Sequence, residues 1–223
     1  MDVTWARRWH ALTALVAVVA VVTQLVLVID GASVLVQEDP PGLAERVYRF
    51  FAYFTIQSNV LVAIACLTLV RDPVRDGRSW RILRAAGVAG IAVTGIVHFV
   101  LLRPLLDLDG LNYVCDKLLH LAVPLLAVAG WLAFGPRPRV TRREIGWSLV
   151  WPMVWLAWTL VVGAVGGWFP YPFLDYAEEG WGSVVIAGVG ITVLFLSFFG
   201  LLSLTDRRLA ATPGPSAQPG ARP

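Results

Sequence analysis

The chain has 223 residues, of which 57% are hydrophobic and 15% are charged, and its formal net charge is +3. About a quarter of the residues in a typical soluble domain are charged, so this composition excludes an ordinary soluble domain. Six apolar stretches are each long enough to cross a bilayer, which takes ~20 residues of α-helix. They lie near residues 10–29, 48–70, 84–102, 114–134, 145–167 and 183–204. We therefore predict an all-α integral membrane protein with six transmembrane helices over residues 1–209. A disordered cytoplasmic tail, rich in proline, glycine and alanine, is predicted over residues 210–223.

The basic residues are concentrated on one side of the predicted spans. Arginines precede the first span and follow the second, fourth and sixth, so that 14 of the 18 basic residues share one side. By the positive-inside rule both termini are cytoplasmic (N-in/C-in), and an even number of spans also places the termini on one side. Because the arginines lie in short loops beside the spans, we interpret them as topology signals and anchors for membrane lipids. The predicted location is the cell membrane, with no nucleic acid as partner.

The second span carries four hydrogen-bonding side chains within five residues, Thr55, Gln57, Ser58 and Asn59. Lipid offers these groups no partner, so each must find one inside the protein or in a small aqueous pocket. Successive residues of a helix turn by about 100°. Thr55, Ser58 and Asn59 therefore share one face, and Gln57 points the opposite way. A polar face at this depth requires polar neighbours on other spans.

Three other spans supply such neighbours at a similar depth. Gln24 lies in the outer third of the first span, His98 near the outer end of the third, and His120 near the outer end of the fourth. Together with Thr55 and Asn59 they fall in the outer half of the bilayer, whereas the inner half is expected to be almost purely apolar. We therefore expect a polar pocket that opens toward the outer side or the outer leaflet. The fifth span carries a row of tryptophans, which we interpret as a packing or lipid-facing stripe.

These side chains fit a hydrolase with a hydroxyl nucleophile. Such a nucleophile needs a base within hydrogen-bond reach and a third group that orients the base. Thr55 is the candidate nucleophile and His120 the base, with Asp116 on the same helix face to hold its ring. Asn59, one turn below Thr55, is a candidate oxyanion donor, and Ser58 is the alternative hydroxyl. An ester or amide of a lipid is the expected substrate, because only an amphiphile reaches such a pocket from the membrane.

Two other interpretations stay open. Threonine, asparagine and histidine commonly hydrogen-bond between membrane helices, so the cluster is compatible with helix packing or with binding of a small ligand. His98 and His120 are also compatible with ligation of a haem, or of a metal ion with Asp116 as third ligand. The sequence contains no phosphate-binding loop, dinucleotide fingerprint or zinc-protease motif, and we predict no cofactor. Cys66 and Cys115 lie on opposite sides of the predicted membrane and are not expected to pair.

The chain also resembles the Pr6Pr family of bacterial six-span membrane proteins. The resemblance lies in three segments, Phe54-Thr-Ile-Gln-Ser-Asn59, Asp116-Lys-Leu-Leu-His-Leu-Ala-Val-Pro124 and Trp168-Phe-Pro-Tyr-Pro-Phe-Leu-Asp175. That family is distantly similar to the androgen-induced membrane hydrolases of eukaryotes, which are threonine hydrolases that cleave fatty acid esters of hydroxy fatty acids. The resemblance implies that Thr55 is the nucleophile and His120 the catalytic histidine. Asp116 and Lys117 stand where those hydrolases carry a different polar pair.

We therefore predict an intramembrane lipid-ester hydrolase that uses Thr55 and His120, with a fatty acid ester as substrate. Asp116, Asn59, His98 and Ser58 are the predicted supporting residues. The alternative prediction is a non-enzymatic membrane protein whose polar cluster packs helices or binds a small ligand, haem or metal.

Overall fold

The structure is a computed structural model that describes residues 2–32 and 41–211. Within these residues all regular secondary structure is helical. The α-helices are α1 (Val3–Ile29), α2 (Leu43–Ala52), α3 (Phe54–Arg71), α4 (Arg78–Val97), α5 (Gly110–Lys117), α6 (Val123–Phe134), α7 (Arg142–Gly166) and α8 (Gly180–Arg208). Short π-helical segments extend α4 and join α5 to α6. Most of the predicted tail, residues 212–223, lies outside the described residues.

Six helical stretches in the described part of the chain are long and apolar enough to cross a membrane. They are Val3–Ile29, Phe54–Arg71, Arg78–Leu105, Gly110–Phe134, Arg142–Gly166 and Gly180–Arg208. Their number agrees with the six predicted spans, and the all-helical secondary structure of the described residues confirms the predicted all-α class. Several helices begin before the predicted apolar windows, because arginines and other polar residues continue the helix beyond its apolar part. Large apolar side chains on α8, such as Ile186, are exposed on the outside of the bundle, as a lipid-facing surface requires.

The third span is the centre of the bundle. In its most apolar window 61% of the residues are buried, against 11% for the fifth span. Small residues permit this position, because a Cβ on Gly87 would lie 3.3 Å from Leu61 of α3 and a Cβ on Gly90 would lie 2.8 Å from Trp151 of α7. Close approach through small residues is the usual packing mode of membrane helices. The third span therefore contacts both the helix that carries Thr55 and the helix of the tryptophan row.

The second predicted span, residues 48–70, is not one helix. Tyr53 adopts extended backbone angles (φ −64°, ψ 128°), so that α2 ends at Ala52 and α3 begins at Phe54. No proline or glycine occurs in this stretch, which is why the sequence predicted a continuous helix. The interruption is a property of the surrounding structure and not of local residue preference.

Side chains from outside α2 donate hydrogen bonds to the carbonyl groups that the interruption leaves without partners in the helix. The last carbonyl groups of a helix have no partner within it. The Ala52 carbonyl accepts from Trp155 Nε1 at 2.8 Å, and the Phe51 carbonyl accepts from Gln57 Nε2 at 3.0 Å. Trp151 Nε1 in turn donates to Gln57 Oε1 at 2.9 Å. Trp151 and Trp155 of the tryptophan row therefore stabilise the interruption through hydrogen bonds. Other members of the row, such as Trp158, are exposed on the outside of the bundle.

We expect Trp155→Phe to destabilise the protein more than Trp158→Phe, although both changes remove the same indole N–H from α7. Loss of the Trp155 donor leaves the Ala52 carbonyl unsatisfied, which costs about 1–3 kcal/mol. Trp158 makes no hydrogen bond among the described residues and is 58% exposed. The check is the free energy of unfolding of both variants in detergent; equal losses would show that the indole does not hold the break.

Candidate active site

Thr55 and His120 form the centre of the site. Thr55 Oγ1 lies 3.2 Å from His120 Nε2, within the range of a hydroxyl-to-imidazole hydrogen bond. Thr55 is buried, in the first turn of α3, and His120 is half-buried in the π-helical segment Leu118–Ala122. The two side chains that the sequence paired as nucleophile and base are thus in hydrogen-bond contact.

Asp116 completes a relay behind His120. Its Oδ1 lies 3.0 Å from His120 Nδ1, and the Asp116 carbonyl oxygen lies 3.1 Å from the same nitrogen. Two acceptors at Nδ1 favour the tautomer with the proton there, which leaves Nε2 free to accept from the Thr55 hydroxyl. Lys117 Nζ lies 2.6 Å from Asp116 Oδ2 and supplies a countercharge to the buried carboxylate. We call Thr55, His120 and Asp116 the candidate triad.

His98 packs directly against the candidate triad. Its Nε2 lies 3.1 Å from Asp116 Oδ1, and its ring stacks on the His120 ring with a centroid distance of 3.7 Å and an interplanar angle of 12°. His98 begins a second π-helical segment, His98–Leu102, so both histidines project from irregular turns of the kind that often occur at functional sites.

This stacking does not fit the metal and haem interpretations. The ligand atoms of His98, Asp116 and His120 do lie within 4.8 Å of one another. An imidazole nitrogen, however, binds a metal in the plane of its own ring, and two nearly parallel rings direct their lone pairs along separate planes. A haem held from both faces would need the ring nitrogens to point toward each other. The contacts of His120 with Thr55 and Asp116 fit a relay better than a ligand set, and His98 stacks on this relay.

Asn59 and Ser58 hold the backbone of Thr55. Asn59 Nδ2 donates to the carbonyls of Thr55 (2.8 Å) and Leu119 (3.3 Å). Ser58 Oγ donates to the Thr55 carbonyl at 3.0 Å and lies 3.1 Å from Thr94 Oγ1. The Asn59 amide is therefore engaged by carbonyls, and we assign it a positioning role rather than the oxyanion contact expected from the sequence.

Tyr171 is the site residue that the sequence analysis missed. Its hydroxyl lies 3.3 Å from Thr55 Oγ1 and accepts from the Thr55 backbone N–H at 3.3 Å. That N–H is available because the break at Tyr53 places Thr55 in a first helical turn, whose amides lack partners in the helix. Burial raises the pKa of Tyr171, so its hydroxyl stays protonated and able to donate. The signal was the aromatic segment 168–175, but its spacing does not reveal which ring reaches Thr55.

A cavity of about 160 Å³ opens beside the candidate triad. We call it the triad cavity, and its lining includes Gln24, Thr55, His98, Asn112, Asp116, His120, Trp168 and Tyr171. Four of the five polar residues that the sequence placed at one depth therefore share this cavity, while Asn59 lies behind Thr55. Gln24 Nε2 bonds to Asn112 Oδ1 at 3.3 Å on the cavity wall.

No family model matches the chain, and no match was found among curated proteins or solved structures. The Pr6Pr resemblance therefore stays a prediction, and the functional argument depends on the geometry of the site.

The opposite end of the bundle is less apolar than expected. Arg84, His10 and Cys66 are buried there, and Arg84 donates to the carbonyls of Gly135 and Pro136. The expectation of an almost purely apolar inner half is therefore wrong, because a buried arginine can be satisfied by backbone carbonyls of a neighbouring loop. Both cysteines are free, which confirms that they do not pair.

We expect Gly95→Ala to disturb the position of His120. A Cβ at Gly95 would lie 3.1 Å from the His120 carbonyl oxygen and 3.4 Å from Pro124, so the third and fourth spans must separate slightly. The expected loss of stability is about 1–3 kcal/mol, as for other overpacked sites. Gly190→Ala on α8, where a Cβ meets open space, is the control. The free energies of unfolding of the two variants are compared in detergent. A Gly95→Ala variant as stable as the wild type would show that the added Cβ is accommodated without separating the two spans.

Proposed function

We propose that the protein is an intramembrane lipid-ester hydrolase in which Thr55 is the nucleophile and His120 the general base. The observation that carries the proposal is the continuous relay from Thr55 Oγ1 through His120 to Asp116, with contacts of 3.2 Å and 3.0 Å. A hydroxyl, a base in contact with it and a group that orients the base are the components of covalent acyl transfer. The relay lies beside a cavity within the helix bundle.

The reaction follows from these contacts. Thr55 Oγ attacks the ester carbonyl carbon while its proton moves to His120 Nε2. The tetrahedral intermediate then collapses, the bond to the alcohol oxygen breaks, and His120 returns the proton to that oxygen. Water, deprotonated by His120, attacks the resulting Thr55 ester. The bond from the acyl carbon to Thr55 Oγ then breaks, and His120 returns the proton to that oxygen, which releases the carboxylic acid and regenerates the Thr55 hydroxyl. Asp116 remains a carboxylate throughout and stabilises the imidazolium form of His120.

Two features support stabilisation of the oxyanion. The Tyr171 hydroxyl accepts from the Thr55 N–H and lies 3.3 Å from Thr55 Oγ1, and its own hydrogen can turn toward a carbonyl oxygen bound beside Thr55. In addition, Thr55 lies in the first turn of α3, where the helix dipole favours negative charge. Preorganised donors of this kind are a major contribution to acyl-transfer catalysis.

A fatty acid ester is the proposed substrate class. The site lies within helices that are long and apolar enough to span a membrane, and the lining of the triad cavity combines aliphatic and aromatic side chains with a few polar groups. An amphiphile that enters from the bilayer satisfies both parts of this surface, whereas a small water-soluble ester leaves the apolar part unfilled.

The proposed orientation places both termini in the cytoplasm and the site toward the outer leaflet of the cell membrane. The support is the distribution of arginines, most of which lie at the end of the bundle that holds residues 3, 72–77, 135–141 and 208, opposite to the candidate triad. The positive-inside rule applies to short loops such as these.

Cysteine labelling tests the orientation in a protein that lacks Cys66 and Cys115. We expect Ala177→Cys to react with a membrane-impermeant maleimide in intact cells, and Ser79→Cys to react only after the cells are permeabilised, because both positions are exposed at opposite ends of the bundle. The reverse pattern would overturn the proposed orientation.

A fluorophosphonate probe tests the chemistry. We expect the wild-type protein in detergent to be labelled, and the label to be lost in Thr55→Ala and His120→Ala but kept in Ser58→Ala, since Ser58 does not contact His120 among the described hydrogen bonds. Tyr171→Phe should label more slowly, by about 10²-fold or more, as for loss of an oxyanion donor. Circular dichroism of each variant reports whether it is folded.

Absence of labelling in folded wild-type protein would contradict the proposal. It would favour a non-enzymatic cluster that packs helices, for which the hydrogen bonds that Ser58 Oγ and Asn59 Nδ2 donate to the Thr55 carbonyl are the supporting observation.

A further inference from the structure

We infer that the substrate ester lies across Thr55 in one direction, with its fatty acyl chain in a second cavity between α4, α7 and α8 and its alcohol part in the triad cavity. This inference rests on the proposed hydrolase function and specifies which half of the ester each cavity receives. We call the second cavity the apolar cavity.

The first support is the position of Thr55 between the two cavities. The apolar cavity has a volume of about 180 Å³, and Thr55, Leu102 and Tyr171 line both it and the triad cavity. A carbonyl carbon bound to Thr55 Oγ can therefore extend one substituent into each cavity. An acyl chain and an alcohol are the two substituents of an ester carbonyl.

The second support is the chemistry of the apolar cavity. Its wall is formed by side chains such as Val93 of α4, Leu156 of α7 and Phe195 of α8. The hydrogen-bonding groups in this wall are already used: Thr192 Oγ1 donates to the Gly188 carbonyl at 2.7 Å, and Trp155 Nε1 donates to the Ala52 carbonyl. Thr94 Oγ1 likewise contacts Ser58 Oγ. A hydrocarbon chain needs no polar partner and matches this wall.

The triad cavity carries more polar groups than the apolar cavity. Gln24 and Asn112 lie on its wall and Arg46 lines it, together with Trp168. These groups offer partners to an alcohol that carries hydroxyl, amide or acidic groups. A polar alcohol in the apolar cavity would instead lose its hydrogen bonds to water without replacement, which is unfavourable.

A third cavity, of about 450 Å³, also borders the candidate triad but is less suited to the acyl chain. It is lined by His98, Asp116 and His120, and Thr55 is not part of its wall. An ester carbonyl on Thr55 Oγ therefore does not border this cavity directly, whereas it borders the apolar cavity. The shared wall at Thr55 therefore selects the apolar cavity.

Chain-length selectivity tests the inference, with two glycines of α8 as a matched pair. Gly188 lines the apolar cavity and Gly190 does not, and a Cβ meets open space at either position. Gly188→Leu should fill the space of about two methylene groups and lower the ratio of kcat/KM for long-chain over short-chain p-nitrophenyl esters roughly tenfold. Gly190→Leu should leave this ratio at the wild-type value. Equal ratios in the two variants would overturn the assignment of the acyl chain.

Photolabelling separates this inference from the hydrolase proposal. The probe is a long-chain fatty acid with a terminal diazirine, applied to the Thr55→Ala protein in detergent. We expect it to label peptides that contain Met153 and Ile191 of the apolar cavity, less strongly when Gly188→Leu is added and equally strongly when Gly190→Leu is added. If Gly188→Leu weakens the labelling but the wild-type protein hydrolyses no ester, the hydrolase proposal is overturned and the binding site of the acyl chain is kept. If neither Gly188→Leu nor Gly190→Leu changes the labelling, the acyl-chain assignment is overturned, whether or not the wild-type protein hydrolyses esters.

Discussion

The candidate site depends on the break in the helix at Tyr53. In a continuous helix the Thr55 N–H would donate to the carbonyl of Phe51, four residues earlier. In the structure that carbonyl accepts from the Gln57 side chain instead, and the Thr55 N–H donates to the Tyr171 hydroxyl. One exchange of partners therefore turns a mid-helix threonine into a residue at a helix N-terminus. Trp155 makes the exchange stable, because it satisfies the next carbonyl, that of Ala52.

The break is matched by irregular turns in the two facing spans. Asp116 Oδ1 lies within about 3 Å of both histidine rings, and an ionised carboxylate in a buried place must be paired and hydrogen-bonded. His98 and His120 begin or occupy π-helical segments, whose wider turns bring their rings into a stack. Gly95 permits the third and fourth spans to approach at the His120 carbonyl. The contacts of the Asp116 carboxylate, the stacking of the two imidazole rings and the absence of a side chain at Gly95 therefore depend on one another.

The sequence predicts the parts of this arrangement that follow from helical spacing. Six apolar windows indicated the spans, and the four-residue separation of Asp116 and His120 indicated their contact, which the structure contains. The depth of Thr55 indicated its neighbours on other spans. The break at Tyr53 and the role of Tyr171 were not predictable, because partners distant in sequence create both. The burial of Arg84 was missed for the same reason, since the carbonyls that satisfy it belong to a loop about fifty residues later.

The distribution of irregular backbone is itself an argument for a cavity at this end of the bundle. Lipid cannot satisfy an open backbone group, so non-helical backbone at membrane depth occurs only where protein buries it or where it lines a cavity. Here the break at Tyr53 and both π-helical segments meet around the triad cavity. The opposite end is fixed differently: Asp206 of α8 accepts from the backbone N–H groups of Arg139 and Val140 at 2.6 Å and 2.8 Å. A bundle that is held together at one end by such contacts can keep irregular, cavity-lining backbone at the other, and this backbone places Thr55 and His120 in contact.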